Sequence, residues 1–172
     1  SSPIGAELDS LADMVTFGLV PGLLLLFYLE ENIGVQVASL TSLADHPMLL
    51  TPFLVPVFSA LRLAKFNVDT RQSDSFRGLP TPASAMWVVS IPLMIEFMPF
   101  HMSWRPENVI VDKWFIIGSS IGLSLLMVSD IPLLALKFKS FGWKGNELRW
   151  ILILTSIVLL IILQPIAIPL IL

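Results

Sequence analysis

The sequence predicts an all-α protein, a polytopic bundle of membrane-spanning helices. Of its 172 residues, 55% are hydrophobic and only 13% are charged, about half the charged fraction of an ordinary soluble domain. The mean hydropathy is +0.84. Long apolar runs indicate helices, because a helix satisfies its own backbone hydrogen bonds inside lipid. The chain contains no cysteine, which excludes disulfides and thiolate metal ligands within it.

Apolar segments follow one another along the chain, separated by polar stretches. A spanning helix needs about 20 mostly apolar residues. Segments A, D and E reach or approach this length, and B and C do so if they extend into their polar flanks. The uncharged stretch before B is either an interfacial helix or a lead-in to B, and prolines inside three segments predict kinks. The segments are A, from about Leu11 to Tyr28; B, from Met48 to near Phe66; C, from Pro82 to Phe97; D, from Trp114 to Leu136; and E, from Trp150 to Leu172; the lead-in runs from Ile33 to Ala44, and the prolines are Pro21, Pro56 and Pro92.

The distribution of lysine and arginine predicts the orientation of the bundle. If segment A starts on the cytoplasmic side and the segments alternate, eight cations lie at inner ends and two at outer ends. Cytoplasmic ends of membrane proteins carry the excess of positive charge. The inner cations are Arg62, Lys65, Arg71, Arg77, Lys137, Lys139, Lys144 and Arg149, and the outer ones are Arg105 and Lys113.

The two ends of the chain suggest a piece of a longer protein. The chain opens at Ser1 without a basic leader and ends on the apolar run Ile-Pro-Leu-Ile-Leu. We therefore expect a single membrane-embedded domain over residues 1–172, with N-terminal helices missing.

Two carboxylates at the start of segment A, in Gly5-x3-Asp9-x3-Asp13, are the strongest chemical signal. On a helix, residues four apart share one face, with β-carbons about 5–6 Å apart. Acids at a helix N-terminus complement its dipole. Asp13 lies deeper, among apolar residues, where an acid is costly and usually serves a function. Carboxylates suit Mg²⁺ or Mn²⁺. The pattern predicts a metal site with a general base, whose remaining ligands lie elsewhere.

The inner end of segment B, Arg62-Leu-Ala-Lys65-Phe-Asn67, is the second candidate. Its cations either anchor the helix at the membrane surface with snorkelling side chains or form an anion site facing the two aspartates. Arginine suits the second role, because its guanidinium binds phosphate or carboxylate through two parallel hydrogen bonds. Asp130, near the inner end of segment D, either pairs with a neighbouring lysine or faces the interface.

These residues resemble the CDP-alcohol phosphatidyltransferases, whose signature is D-x2-D-G-x2-A-R-x8-G-x3-D-x3-D. Gly5, Asp9 and Asp13 match its second half, and the first half would precede Ser1. Three further stretches resemble the phosphatidylserine synthase branch of that family, although Lys65 stands where that branch more often has arginine. The stretches are Arg62 to Asn67, Phe76-Arg-Gly-Leu-Pro-Thr-Pro-Ala83 and Leu126-Met-Val-Ser129.

The resemblance implies a metal-assisted transfer of the phosphatidyl group from CDP-diacylglycerol to L-serine, giving phosphatidylserine and CMP. Asp9 and Asp13 would hold Mg²⁺ or Mn²⁺ with the upstream aspartates, and Asp13 would be the general base. Gly5 would let the nucleotide approach the backbone. Lipid phosphate or serine carboxylate would be bound by Arg62, Lys65 and Asn67.

The resemblance also implies the surroundings of the enzyme. It would be a homodimer in a bacterial or archaeal inner membrane, with its active site at the cytoplasmic face and membrane lipid around it. No nucleic acid partner is expected.

Three other interpretations stay open. A relative with another acceptor, glycerol 3-phosphate or inositol phosphate, would need a stronger cationic pocket, which the count of cations does not exclude. A transporter subunit would place acids at mid-membrane depth and at both faces, whereas the candidate acids here cluster at one face. A chain lacking the upstream half of the metal site would be inactive on its own.

Overall fold

The computed structural model describes residues 2–35, 37, 40–68, 76–97, 110–133, 142–143 and 146–171. The described chain is helical apart from one pair of two-residue strands. The α-helices are α1 (Pro3–Met14), α2 (Val20–Ile33), α3 (Leu40–Asp45), α4 (Leu54–Val68), α5 (Thr81–Phe97), α6 (Lys113–Val128), α7 (Glu147–Leu163) and α8 (Ala167–Ile171); the strands are β1 (Phe76–Arg77) and β2 (Pro132–Leu133).

The first helical run is continuous but changes its winding midway. Ser2 caps α1, its Oγ accepting the Gly5 N–H at 3.1 Å. A π-helical stretch, Val15–Leu19, joins α1 to α2. Gly34, in the left-handed conformation at φ 74°, ends α2, as glycine commonly does after a helix. Segment A therefore lies within one long helical run that begins before the aspartates.

The core lies where α2, α4, α5 and α6 meet. Its side chains are aliphatic, with methionine filling gaps, and this is the main apolar surface that the described chain buries. The most deeply buried of them are Leu25, Leu29, Leu49, Val55, Val88, Ile91, Ile116 and Met127.

Glycines allow the first helical run to approach α4 very closely. A β-carbon on Gly18 would lie 2.8 Å from the side chain of Ser59, and one on Gly22 would lie 2.9 Å from the ring of Pro56. Small residues at such interfaces let helix backbones pack together in membranes. The two pairs define an antiparallel register between the first helical run and α4.

Contacts at the two ends of the bundle agree with alternating helices. At one end Asn32, near the end of α2, donates from Nδ2 to the carbonyl of Val111, just before α6, at 2.7 Å. At the other end the last turn of α4 contacts the segment that follows α6, through Lys65 and Asp130. The lysine pairing of Asp130 left open by the sequence is therefore present.

Segments D and E differ from their predicted extents. The helix of segment D ends at Val128, and Pro132–Leu133 instead pairs antiparallel with Phe76–Arg77. The helix of segment E ends at Leu163, because Gln164 adopts φ 52° and Pro165 cannot continue the backbone hydrogen bonds. A short 3₁₀ turn, Gln164–Ile166, then leads into α8. Residues 134–136 of segment D lie outside the described residues.

Among the described residues, two helical runs are long and apolar enough to cross a membrane, Glu7–Ile33 and Pro47–Asn67. The first part of segment B is a 3₁₀ stretch, Pro47–Phe53, which continues into α4. Two shorter apolar helices, Thr81–Phe97 and Lys113–Val128, correspond to segments C and D. None of the side chains of α7 is buried in the described structure, although its residues are mostly aliphatic.

Candidate functional site

The two aspartates lie on α1, with Asp9 exposed and Asp13 half-buried. Their i, i+4 spacing places both carboxylates on one face of the helix. In the part of the chain that the structure describes, neither has a hydrogen-bond or ion-pair partner. Both carboxylates are therefore available to a ligand from outside this chain segment.

The donor chemistry of the aspartates fits a hard divalent cation, but they are two ligands only. No group of three or more histidine, aspartate or glutamate side chains that could hold a metal occurs among the described residues. Carboxylates together with substrate phosphates and water are the usual ligands of Mg²⁺. A cation held by Asp9 and Asp13 would need its remaining ligands from substrate, water or residues outside the described ones.

Gly5 lies in the first turn of α1 and is exposed. A β-carbon there would meet only the Oγ of Ser2, at 3.2 Å. Packing within the described chain thus places little demand on this glycine, and close approach of a nucleotide stays a prediction.

Arg62 is buried near the end of α4, with 6% of its surface exposed. Its Nη2 donates to the Gly78 carbonyl at 3.4 Å, close to the upper limit for a hydrogen bond. A guanidinium has five N–H donors, and the described structure gives Arg62 no other partner. The side chain is therefore a buried cation with most of its donors unused.

Lys65, one turn further along α4, is held by the segment after α6. Its Nζ donates to Oδ1 of Asp130 at 2.9 Å and to the Val128 carbonyl at 3.5 Å. The pair is exposed, with 41% of the lysine and 65% of the aspartate side chain accessible. Its charge is thus already matched by a carboxylate, unlike that of Arg62.

Asn67 connects the end of α4 directly to α1. Its Nδ2 donates to Oγ of Ser10 at 3.1 Å, across 57 positions of sequence. The antiparallel register that joins Gly22 to Pro56 and Gly18 to Ser59 therefore continues to Ser10 and Asn67. By this register Asp13 lies level with the turn of α4 that contains Lys65.

Gly78 lies between α4 and the end of α6 and contacts both. It adopts φ +72°, and a β-carbon would lie 2.6 Å from the Met127 carbonyl oxygen and 2.7 Å from that of Ser129. Its N–H donates to the Ile131 carbonyl, and the Leu79 N–H donates to the Leu126 carbonyl, each at 2.9 Å. Only glycine fits here, since both the backbone conformation and the space exclude a side chain.

The three downstream stretches singled out in the sequence thus meet at one end of the bundle, next to α1. Sequence reasoning did not find this convergence, nor the contact of Ser10. It also missed Ser59 and Ser84, whose hydroxyls are buried without a hydrogen-bond partner in the described structure. Ser59 is one helical turn before Arg62. Its only sequence signal is a small polar residue on an apolar helix.

Comparison with known proteins finds several similar proteins that carry the name CDP-diacylglycerol–serine O-phosphatidyltransferase. That of Helicobacter pylori is 34% identical over 160 residues, covering 92% of this chain and 59% of that protein. That of Bacillus subtilis is 32% identical over 133 residues, covering 76% and 58%. That of Methanocaldococcus jannaschii is 31% identical over 130 residues, covering 76% and 49%.

At 31–34% identity over most of the chain, these similar proteins support its placement in the phosphatidylserine synthase branch of the CDP-alcohol phosphatidyltransferase family. The chain spans between about half and three fifths of the length of these curated relatives. No family model and no solved structure matches it.

Proposed function

We propose that the protein containing this chain transfers the phosphatidyl group of CDP-diacylglycerol to L-serine. The names of the relatives support this reaction. The observation on this chain that carries the proposal is Arg62, a buried cation with unused donors beside α1, whose two aspartates have no partner among the described residues. A site that combines cation and carboxylates can bind an anionic substrate group and accept a proton.

Arg62 is the proposed contact for the lipid phosphate or the serine carboxylate. A buried charge without an opposite charge beside it is costly. Binding of an anion to the Arg62 guanidinium is therefore favoured. Arginine can contact such an anion through two parallel hydrogen bonds. Lys65 has Asp130 as its partner and would contribute mainly to the positive potential of the site.

Asp13 is the proposed general base. The serine hydroxyl oxygen attacks the β-phosphorus of CDP-diacylglycerol, a new P–O bond forms, and the bond to the CMP oxygen breaks. The serine hydroxyl proton passes to the Asp13 carboxylate, and CMP leaves with the bond electrons. Among the described residues the half-buried Asp13 carboxylate has no hydrogen-bond or ion-pair partner, so its oxygens are available to the serine proton and to the cation.

Asp9 and Asp13 are the residues that would hold Mg²⁺ or Mn²⁺, with Gly5 close to the nucleotide. The cation would supply charge neutralisation for the pyrophosphate and the departing CMP. The donor set that the described chain offers is consistent with this role, because both ligands are carboxylates.

The exposed surface supports a location in the membrane. In the described part of the chain, two helical runs are long enough to span a bilayer, and many large apolar side chains face outward, including most of those of α7. Large exposed apolar patches mark contact with lipid or a partner. We propose that lipid covers this surface and that the end with Asp9, Arg62 and Lys65 faces the cytoplasm, where the cations would collect.

The test uses the full-length protein, purified in detergent with CDP-diacylglycerol and Mn²⁺ or Mg²⁺. CMP release should depend on added serine and should stop when a chelator removes the metal.

Asp13→Asn should reduce serine-dependent CMP release by a factor of about 10² to 10⁴, the range of general-base contributions. It should leave CDP-diacylglycerol bound. Normal turnover by Asp13→Asn would remove the assignment of the base, and absence of serine-dependent release by the unaltered protein would refute the proposed function.

A further inference from the structure

The orientation of α1 decides where both aspartates point. Neither carboxylate is held by a hydrogen bond or an ion pair in the described structure, so their direction is set by the rotation of the helix that carries them. Catalysis is sensitive to such direction, since a misplacement of 1 Å can cost a hundredfold in rate.

The tight packing of the first helical run does not by itself fix that rotation. The close contacts with α4 are made by Gly18 and Gly22, in and after the π-helical stretch Val15–Leu19. A π-helix winds with i→i+5 hydrogen bonds and so changes the phase between the helices on either side. The aspartate face of α1 is therefore separated from these contacts by a turn of different winding.

Ser10 supplies a direct connection on the aspartate side of the π-helical stretch. It lies next to Asp9 and three residues before Asp13, a spacing that makes side chains neighbours on a helix. Its Oγ accepts the hydrogen bond from Asn67 Nδ2 at 3.1 Å. This is a side-chain bond between α1 and α4 at the level of the candidate site.

We propose that Ser10 and Asn67 are a positioning pair that orients Asp9 and Asp13 toward the reacting groups, an inference that rests on the function proposed above. Asn67 thus acts through Ser10, where the sequence suggested a ligand for the substrate. Arg62, which is buried and has unused donors, is the ligand for the anion.

Steady-state kinetics of Ser10→Ala, Asn67→Ala and the double variant in the full-length protein test this pair. We expect Ser10→Ala to lower kcat for serine-dependent CMP release by roughly ten- to a hundredfold, with the KM for serine changed less than about twofold. Because the two residues act through one bond, the double variant should be no slower than the slower single variant. Ser10→Thr, which keeps the hydroxyl, should recover most of the rate.

Ser156→Ala is the matched control. Ser156 lies on α7, and its Oγ donates to the Leu152 carbonyl within its own helix at 2.7 Å, so this variant should retain full activity. The unfolding temperatures of Ser10→Ala and Ser156→Ala should agree, which separates positioning from a loss of fold.

Three outcomes would overturn the positioning pair while leaving the reaction established. The first is an active parent whose Ser10→Ala variant keeps kcat within twofold. The second is multiplicative losses in the double variant, which would make Asn67 an independent substrate ligand. The third is an increase confined to the KM for serine. Absence of serine-dependent CMP release by the parent would instead contradict the proposed function.

Discussion

Burial distinguishes between the two roles, membrane anchor and anion ligand, that the sequence left open for Arg62. A snorkelling anchor would extend its charge to the surface, whereas 6% of Arg62 is exposed and its guanidinium makes a single long hydrogen bond with the described residues, to the Gly78 carbonyl. The neighbouring Lys65 shows the surface behaviour, with an exposed ion pair to Asp130. The structure therefore distinguishes the two cations that the pattern grouped together.

Substitution of Arg62 should affect substrate binding before anything else. A hydrogen bond to a charged group contributes about 1.5–3 kcal/mol, so Arg62→Ala should raise the KM for CDP-diacylglycerol or for serine by roughly ten- to a hundredfold. Arg62→Lys should recover only part of this, because lysine lacks the planar pair of donors. Steady-state kinetics with each substrate varied in turn measures the effect.

Lys113→Ala is the control for Arg62, since Lys113 is the first residue of α6, at the opposite end of the bundle, and its Nζ lies over the ring of Trp114. Its kinetics should match those of the parent. Unchanged KM values for both substrates in Arg62→Ala would return Arg62 to a purely structural role.

At the scale of elements, the turn that contains Gly78 joins α4, α6 and the start of α5. The Leu79 N–H donates to the Leu126 carbonyl in the last turn of α6, and the Gly78 N–H donates to the Ile131 carbonyl in the segment that follows α6. In the sequence, the stretch from Phe76 to Ala83 stands out only through its resemblance to the family. The structure shows a tertiary contact that local pattern does not encode.

Gly78→Ala should destabilise the protein more than Gly34→Ala does. Both glycines have φ near +70°, so both variants incur the left-handed cost of about 1–2 kcal/mol. Only Gly78 has carbonyl oxygens within 3 Å of the new β-carbon, whereas Gly34 has nothing within 4 Å. Thermal unfolding in detergent should show the larger drop for Gly78→Ala, and equal drops would contradict the close contact with α6.

The extents of segments B and C could be predicted to within a few residues, because apolar runs and flanking charges define them locally, whereas the helical run that contains segment A begins at Pro3 and ends at Ile33, beyond the predicted bounds. The end of segment D could not, because the chain leaves the helix at Ser129 to bond with the Gly78 turn, a residue pair separated by about 50 positions. The π-helical stretch Val15–Leu19 has no local signature either. It accompanies the close approach of Gly18 to Ser59.

At the scale of the whole molecule, the aspartates of α1 and the basic end of α4 lie at one end of the bundle. The distribution of lysine and arginine along the sequence predicted this arrangement. Five of the ten cations lie outside the described residues: Arg71, Arg105, Lys137, Lys139 and Lys144. The family and its branch followed from short motifs and agree with the similar proteins. The roles of individual site residues could not be derived in this way, because Ser10 and Asn67 become neighbours only when α1 packs on α4. The homodimer and the metal preference stay predictions.

The identity of the acceptor alcohol is the most direct test of the central claim, phosphatidyl transfer to serine. CMP release by the full-length protein would be measured with CDP-diacylglycerol, the metal, and serine, glycerol 3-phosphate or inositol phosphate in turn, and the lipid product would be identified by mass. We predict release with serine alone and phosphatidylserine as the product. Release with a phosphorylated acceptor but not with serine would contradict the account and would assign Arg62 to the phosphate of that acceptor.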